Sequence, residues 1–142
     1  DAPMEMILGE MLLANKKTIC TAESCTGGYI SHLLTSLPGS SAYVEGGLVT
    51  YSYAAKENLL QVNEGTLNQK GAVSEDVVLQ MAKGALEHFN TDYVIAVSGI
   101  MGPGGGTQDK PVGTVWMAFG AKNNFTILSL SSFAMLSAQL WP

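Results

Sequence analysis

Arginine is absent from the 142 residues: all seven basic side chains are lysines, set against twelve acids for a formal net charge of −5. Without the planar guanidinium fork, no side chain can grip a phosphate through two parallel bonds. A net-negative surface is also a poor counter-ion for a polyphosphate, so no nucleic acid is expected as partner. A phosphate-bearing small molecule would have to be held by backbone N–H groups and lysine. Charged residues make up only 13% of the chain and hydrophobic ones 46%, which excludes a charge-rich disordered polymer. No run of 18 apolar residues occurs, so no membrane span is expected. The first residues, DAPMEMIL, carry acids where an export signal would carry positive charge, so a cytoplasmic location is expected. Two cysteines, Cys20 and Cys25, do not form a C-x-x-C pair and have no second cluster, so they read as reduced thiols rather than metal ligands. Neither metal nor cofactor is expected. The only histidines, His32 and His88, fall on predicted helices, which leaves thin support for a Ser-His-Asp triad.

What is present is one domain's worth of alternating patterns. Apolar spacing predicts a helix over 4–15, a short buried strand over 17–22, and a helix over 27–36 that stops before the turn cluster Pro38-Gly39-Ser40-Ser41. A strand over 43–51 contains Gly46 and Gly47, a signal for a bulge or a close backbone approach. A short helix follows over 53–60. Ser74 with Glu75 and Asp76 marks the start of a helix running to about residue 90. The continuous apolar run 93–98 reads as a central strand, and 112–120 and 125–130 as two more. Helices alternate with strands in the first half, and strands follow one another in the second. The expected fold class is α/β: a single layered domain with a mixed β-sheet flanked by helices.

Three segments could carry chemistry. At the first strand-to-helix junction, Ser24, Cys25 and Thr26 each offer a hydroxyl or thiol ahead of Gly27 and Gly28, and a helix start there offers free N–H groups. Any of the three could be the nucleophile, or Ser24 and Thr26 could simply cap the helix. In the second segment Lys56 opens a helix just after a strand, and a lysine serves as a base once desolvation lowers its pKa. Tyr51 stands close enough in sequence to orient it. The third is the loop 99–107, with six glycines and prolines within 99–106. It is neither a Walker loop nor a dinucleotide fingerprint, yet it presents a run of N–H groups suited to an anion, with Lys110 nearby.

Taken in order, AESCTGG (22–28), PGSS (38–41), VTYSYAAK (49–56), GAVSE (71–75), SGIMGPGGGT (98–107) and KPVGTVW (110–116) resemble the C-terminal domain of the competence/damage-inducible CinA proteins, found alone as nicotinamide-mononucleotide amidohydrolases. The whole of 1–142 is accordingly expected to be one such domain, with an atypical tail over 129–142. The resemblance implies hydrolysis of the carboxamide of nicotinamide mononucleotide to nicotinate mononucleotide and ammonia. It implies Ser24 as nucleophile, Lys56 as base and Tyr51 as assistant. Cys25, Thr26, Gly27, Gly28 and Ser98 would line the site, and Gly102, Gly104, Gly105, Gly106, Thr107 and Lys110 would hold the phosphate or ribose. The family usually continues after the last strand with Gly-Asp-Arg, which this chain lacks, so weaker phosphate binding is expected. The alternative is a nucleotide-binding regulatory module of the same fold without turnover. A dimer would suit a small apolar chain.

Overall fold

A computed structural model describes residues 1–129; the expectation for the tail falls, from residue 130 on, outside the described residues. The chain runs α1 (Met4–Asn15), β1 (Ile19–Glu23), α2 (Tyr29–Thr35), a single 3-10 turn (Ser40–Ala42), β2 (Val44–Val49), α3 (Tyr53–Leu60), α4 (Glu64–Lys70), α5 (Glu75–Phe89), β3 (Tyr93–Gly99), β4 (Val115–Ala121) and β5 (Asn124–Ser129). The five strands form one mixed sheet in the order β2-β1-β3-β4-β5. Its first three strands are parallel, and β4 and β5 are antiparallel additions. The expected α/β class with a mixed sheet is therefore what the chain adopts.

Local chemistry accounts for the helix ends. Ser52, Asn63 and Ser74 accept a first-turn N–H at the starts of α3, α4 and α5. Lys16, Gln61 and Asn90 close α1, α3 and α5 in the left-handed conformation. The sequence pattern assigned no element to 64–70. Helix α4 is seven residues long and buries only Leu67, so it carries no apolar period and depends on the Asn63 cap and packing against α5.

Two layers cover the sheet. On one face Cys20 and Ala22 of β1 and Val94 and Ala96 of β3 pack with Leu60 of α3 and with Val77, Val78, Met81 and Ala85 of α5. On the other, Ile19 packs with Leu12 of α1 and Leu34 of α2. The predicted irregularity in β2 is present: pairing slips opposite Ile19 and Cys20. A side chain at Gly47 would run into Thr21 Oγ1 and Ser31 Oγ, so only glycine lets β2 lie this close to α2.

The interior strand β1 is followed in sequence by its neighbour on one side, β2, while its neighbour on the other side, β3, comes later. That reversal is the point where open α/β sheets gather ligands, beyond the carboxyl ends of the strands. The three chemistry-bearing segments leave the sheet there, after β1, β2 and β3.

Candidate active site

Strand alternation decides which way each side chain faces. Thr21 hydrogen-bonds Ser31 of α2, while Ala22 packs with α5. Glu23 therefore turns to the α2 layer, and the next residue, Ser24, to the layer that contains α3. The registers Glu23↔Val49 and Glu23↔Val97 make Thr50, Ser24 and Ser98 the next residues along three adjacent parallel strands. Backbone bonds carry the order one step past the strands: Thr50 N–H donates to Glu23 O (2.7 Å) and Ser24 N–H to Val97 O (3.1 Å).

Lys56, in the first turn of α3, reaches back under this row. Its side chain is only 1% exposed, and its Nζ lies 2.9 Å from Ser24 Oγ, 2.6 Å from the Thr50 carbonyl and 3.4 Å from the Tyr51 carbonyl. Burial pushes the amine's pKa below the ordinary lysine value, only partly opposed by attraction to Cys25. A neutral amine has two N–H donors and one lone pair, which match two carbonyls and one hydroxyl. The arrangement can deprotonate Ser24.

Cys25 is half-buried, and burial pushes its thiol up to about 11, with the Glu23 charge adding to the rise. Its own N–H, that of Thr26 and the Lys56 charge pull the other way but lose. Among the described residues, the N–H groups of Cys25, Thr26 and Gly28 have no backbone acceptor, and the first two face the Cys25 sulfur, whereas Gly27 N–H bonds Ser24 O. Gly27 and Gly28 both take positive φ (61° and 103°), which lets the turn fold tightly enough to aim those amides.

Glu23, to which the sequence pattern assigned no role, is fully buried and fills the start of α2. Its carboxylate accepts from the Thr26 hydroxyl (2.7 Å), Ile30 N–H (2.9 Å), Ser31 N–H (2.9 Å) and the Ser31 hydroxyl (2.8 Å). Burial alone would raise its pKa; the hydrogen bonds from Thr26, Ser31 and Ile30 together outweigh it and hold the carboxyl below its ordinary value. The anion expected at this helix start is thus the protein's own, and the free N–H groups lie in the turn instead. An acid ending an otherwise apolar and neutral strand was the signal available in the sequence.

Not all predicted side chains converge on the dyad. The Tyr51 phenol is 74% exposed, and what this residue brings to Lys56 is its carbonyl. Ser98 is buried at the same rim, but its hydroxyl donates to the Ala72 carbonyl (2.8 Å). Gly102, Gly104, Gly105, Gly106 and Thr107 lie on an exposed loop beyond β3. Thr107 closes that loop on Lys110 through N–H···O=C (2.8 Å) and through its hydroxyl, which accepts from Lys110 N–H (3.0 Å). The Lys110 amine donates to the Lys70 carbonyl at the end of α4, so it anchors the loop to α4. Among the described residues there is no group of three or more His, Cys, Asp or Glu able to hold a metal, and no helix is long and apolar enough to cross a membrane.

The family model described as CinA C-terminal domain matches residues 1–135. The nicotinamide-nucleotide amidohydrolase PncC of Escherichia coli K12 is 54% identical over 112 residues, covering 79% of this chain and 68% of that protein. The protein of the same name from Enterobacter agglomerans is 48% identical over 127 residues, 89% of this chain and 77% of that one. A CinA-like protein of Leptospira borgpetersenii is 50% identical over 119 residues, 84% of this chain but only 28% of its own length. Among solved structures, the competence/damage inducible protein CihA from Agrobacterium tumefaciens superposes with a TM-score of 0.88 at 40% identity, covering 94% of this chain and 86% of that one.

Proposed function

The chain belongs to the CinA C-terminal domain family, and on that premise we propose that it hydrolyses the carboxamide of nicotinamide mononucleotide through a Ser24–Lys56 dyad. The observation that carries the reading is the buried Lys56 amine 2.9 Å from Ser24 Oγ. Relatives named for nicotinamide-nucleotide amidohydrolysis support the substrate class.

In the first half-reaction Ser24 Oγ attacks the carboxamide carbon while neutral Lys56 takes the hydroxyl proton. The carbonyl oxygen becomes an oxyanion, and the N–H groups of Cys25 and Thr26, which have no backbone acceptor among the described residues, are the donors available to it. Collapse breaks the C–N bond, and the Lys56 ammonium returns its proton to the departing nitrogen, which leaves as ammonia. Water then attacks the Ser24 ester with Lys56 again as base, releasing the carboxylate and restoring the hydroxyl. The Thr50 and Tyr51 carbonyls hold the amine in place throughout.

Ammonia release by purified protein supplied with nicotinamide mononucleotide tests the reading. Ser24→Ala is expected to lower kcat by roughly three orders of magnitude or more with the fold intact, as for loss of a covalent nucleophile. An alanine variant as fast as the parent rules Ser24 out, and thiol alkylation with and without substrate then tests Cys25. Tight binding of the mononucleotide without any ammonia release would identify a binding module instead.

A further inference from the structure

The turn that carries Ser24 is closed by the side chain of the residue just before it. Glu23 ends β1, and its carboxylate crosses the turn to Thr26 and to the first amides of α2 at Ile30 and Ser31. Gly28, the residue that would ordinarily cap α2, has no side chain to do so. Main chain from 23 to 31 and the carboxylate returning from 31 to 23 make a closed ring that includes Ser24 and the amides of Cys25 and Thr26. Gly27, at the tip of the turn, is exposed, and a side chain there would start in open space, with nothing among the described residues within 4 Å. Packing therefore does not hold this part of the turn; two local backbone bonds do, Gly27 N–H to Ser24 O (3.0 Å) and Tyr29 N–H to Thr26 O (3.1 Å), and the carboxylate bonds add the tie from the strand end to α2. All four of those bonds require an acceptor. A glutamine can offer its amide oxygen to two of them, but its NH2 group then faces a backbone N–H, donor against donor.

We propose that Glu23 is a positioning residue for the reaction: by closing the turn onto α2 it keeps Ser24 Oγ at the Lys56 amine and the Cys25 and Thr26 amides facing the substrate carbonyl. This rests on Ser24 being the nucleophile. Glu23 itself touches neither substrate nor Lys56, so its loss acts on the chemical step rather than on substrate capture.

The test is Glu23→Gln, assayed well below its unfolding temperature and corrected for the folded fraction. The expected result is a kcat about tenfold lower or less still, with KM within about twofold of the parent. A purely structural carboxylate would lower the unfolding temperature and leave kcat per folded molecule unchanged, and that result overturns the proposal. So does a raised KM at unchanged kcat. If Glu23→Gln does not fold, Thr26→Val and Ser31→Ala each remove one hydroxyl from the ring and keep the carboxylate. Both are then expected to lower kcat severalfold at constant KM, and parental kcat in both overturns the idea. Ser24→Ala run alongside separates the two readings. Its inactivity beside a fully active Glu23→Gln defeats only the positioning role, whereas a fully active Ser24→Ala defeats the nucleophile assignment on which that role rests.

Discussion

A lysine amine set among two carbonyls and a hydroxyl is complete as a neutral group, with two protons given away and one lone pair receiving. Since burial pushes the Lys56 pKa below its ordinary value, kcat should rise with pH and level off before 10.5, the ordinary lysine value. A rate that keeps climbing beyond that pH would contradict the assignment. Lys56→Arg should abolish turnover, because a guanidinium keeps its proton. Cys25, pushed up to about 11, should resist alkylation: at pH 8 iodoacetamide should label it about two orders of magnitude more slowly than an unperturbed cysteine, read by peptide mass spectrometry. Thr50 presents a different case, because its buried Oγ1 has no hydrogen-bond partner among the described residues. Thr50→Val removes that hydroxyl without changing shape, and urea unfolding should show stability equal to the parent or about 1 kcal/mol higher.

At the scale of elements, the position of α3 determines where the Lys56 amine goes, and α3 rests on α5. Gly84 of α5 sits directly under the end of α3: an added Cβ would collide with the Leu60 carbonyl group, 2.7 Å from its carbon. Gly84→Ala would gain about 1 kcal/mol of helix propensity. The collision is with backbone, which cannot rotate away, so overpacking at about 1–3 kcal/mol should win. The expected outcome is a net loss of stability together with reduced kcat, since moving α3 moves Lys56. Ser74→Ala, by contrast, removes the cap of α5 (Val77 N–H to Ser74 Oγ, 3.3 Å) and the hydroxyl's bond to the Gly71 carbonyl (2.9 Å) without moving α3, and should cost about 1 kcal/mol. Helices of this kind were legible because their caps and periods are local. Helix α4 was not, because one buried leucine and a side-chain cap make no pattern.

For the whole molecule, two buried ionisable groups, Lys56 and Glu23, tie stability to pH in separate windows, one basic and one acid. The Lys56 pKa is lower folded than unfolded, so between its folded value and about 10.5 the unfolded chain holds a proton that the folded one has lost. Unfolding free energy should therefore rise with pH across that interval, and Lys56→Met should flatten the rise in urea titrations. Glu23 is also lower folded than unfolded, but as an acid. Its stabilisation is fully present above the ordinary carboxyl value of 4.5 and is lost as pH falls through the folded value. Glu23→Gln should show a shallower loss of stability in acid.

From its own residues the chain determined the elements with strong local patterns, the glycines that permit close approach, and the short list of side chains able to do chemistry at strand ends. Those follow from periods of two and 3.6, from caps and from turn residues, all of which act over a few positions. Only the tertiary structure decided which of them meet. Strand order and register set Ser24 between Thr50 and Ser98, and α3 brings the Lys56 amine to Ser24 across thirty-two positions. The same packing sends the Lys110 amine to the end of α4, the Tyr51 phenol to solvent and the Glu23 carboxylate into the start of α2. Such meetings depend on which strands become neighbours, and neighbourhood is settled by burial of the whole sheet between two helical layers rather than by any segment alone.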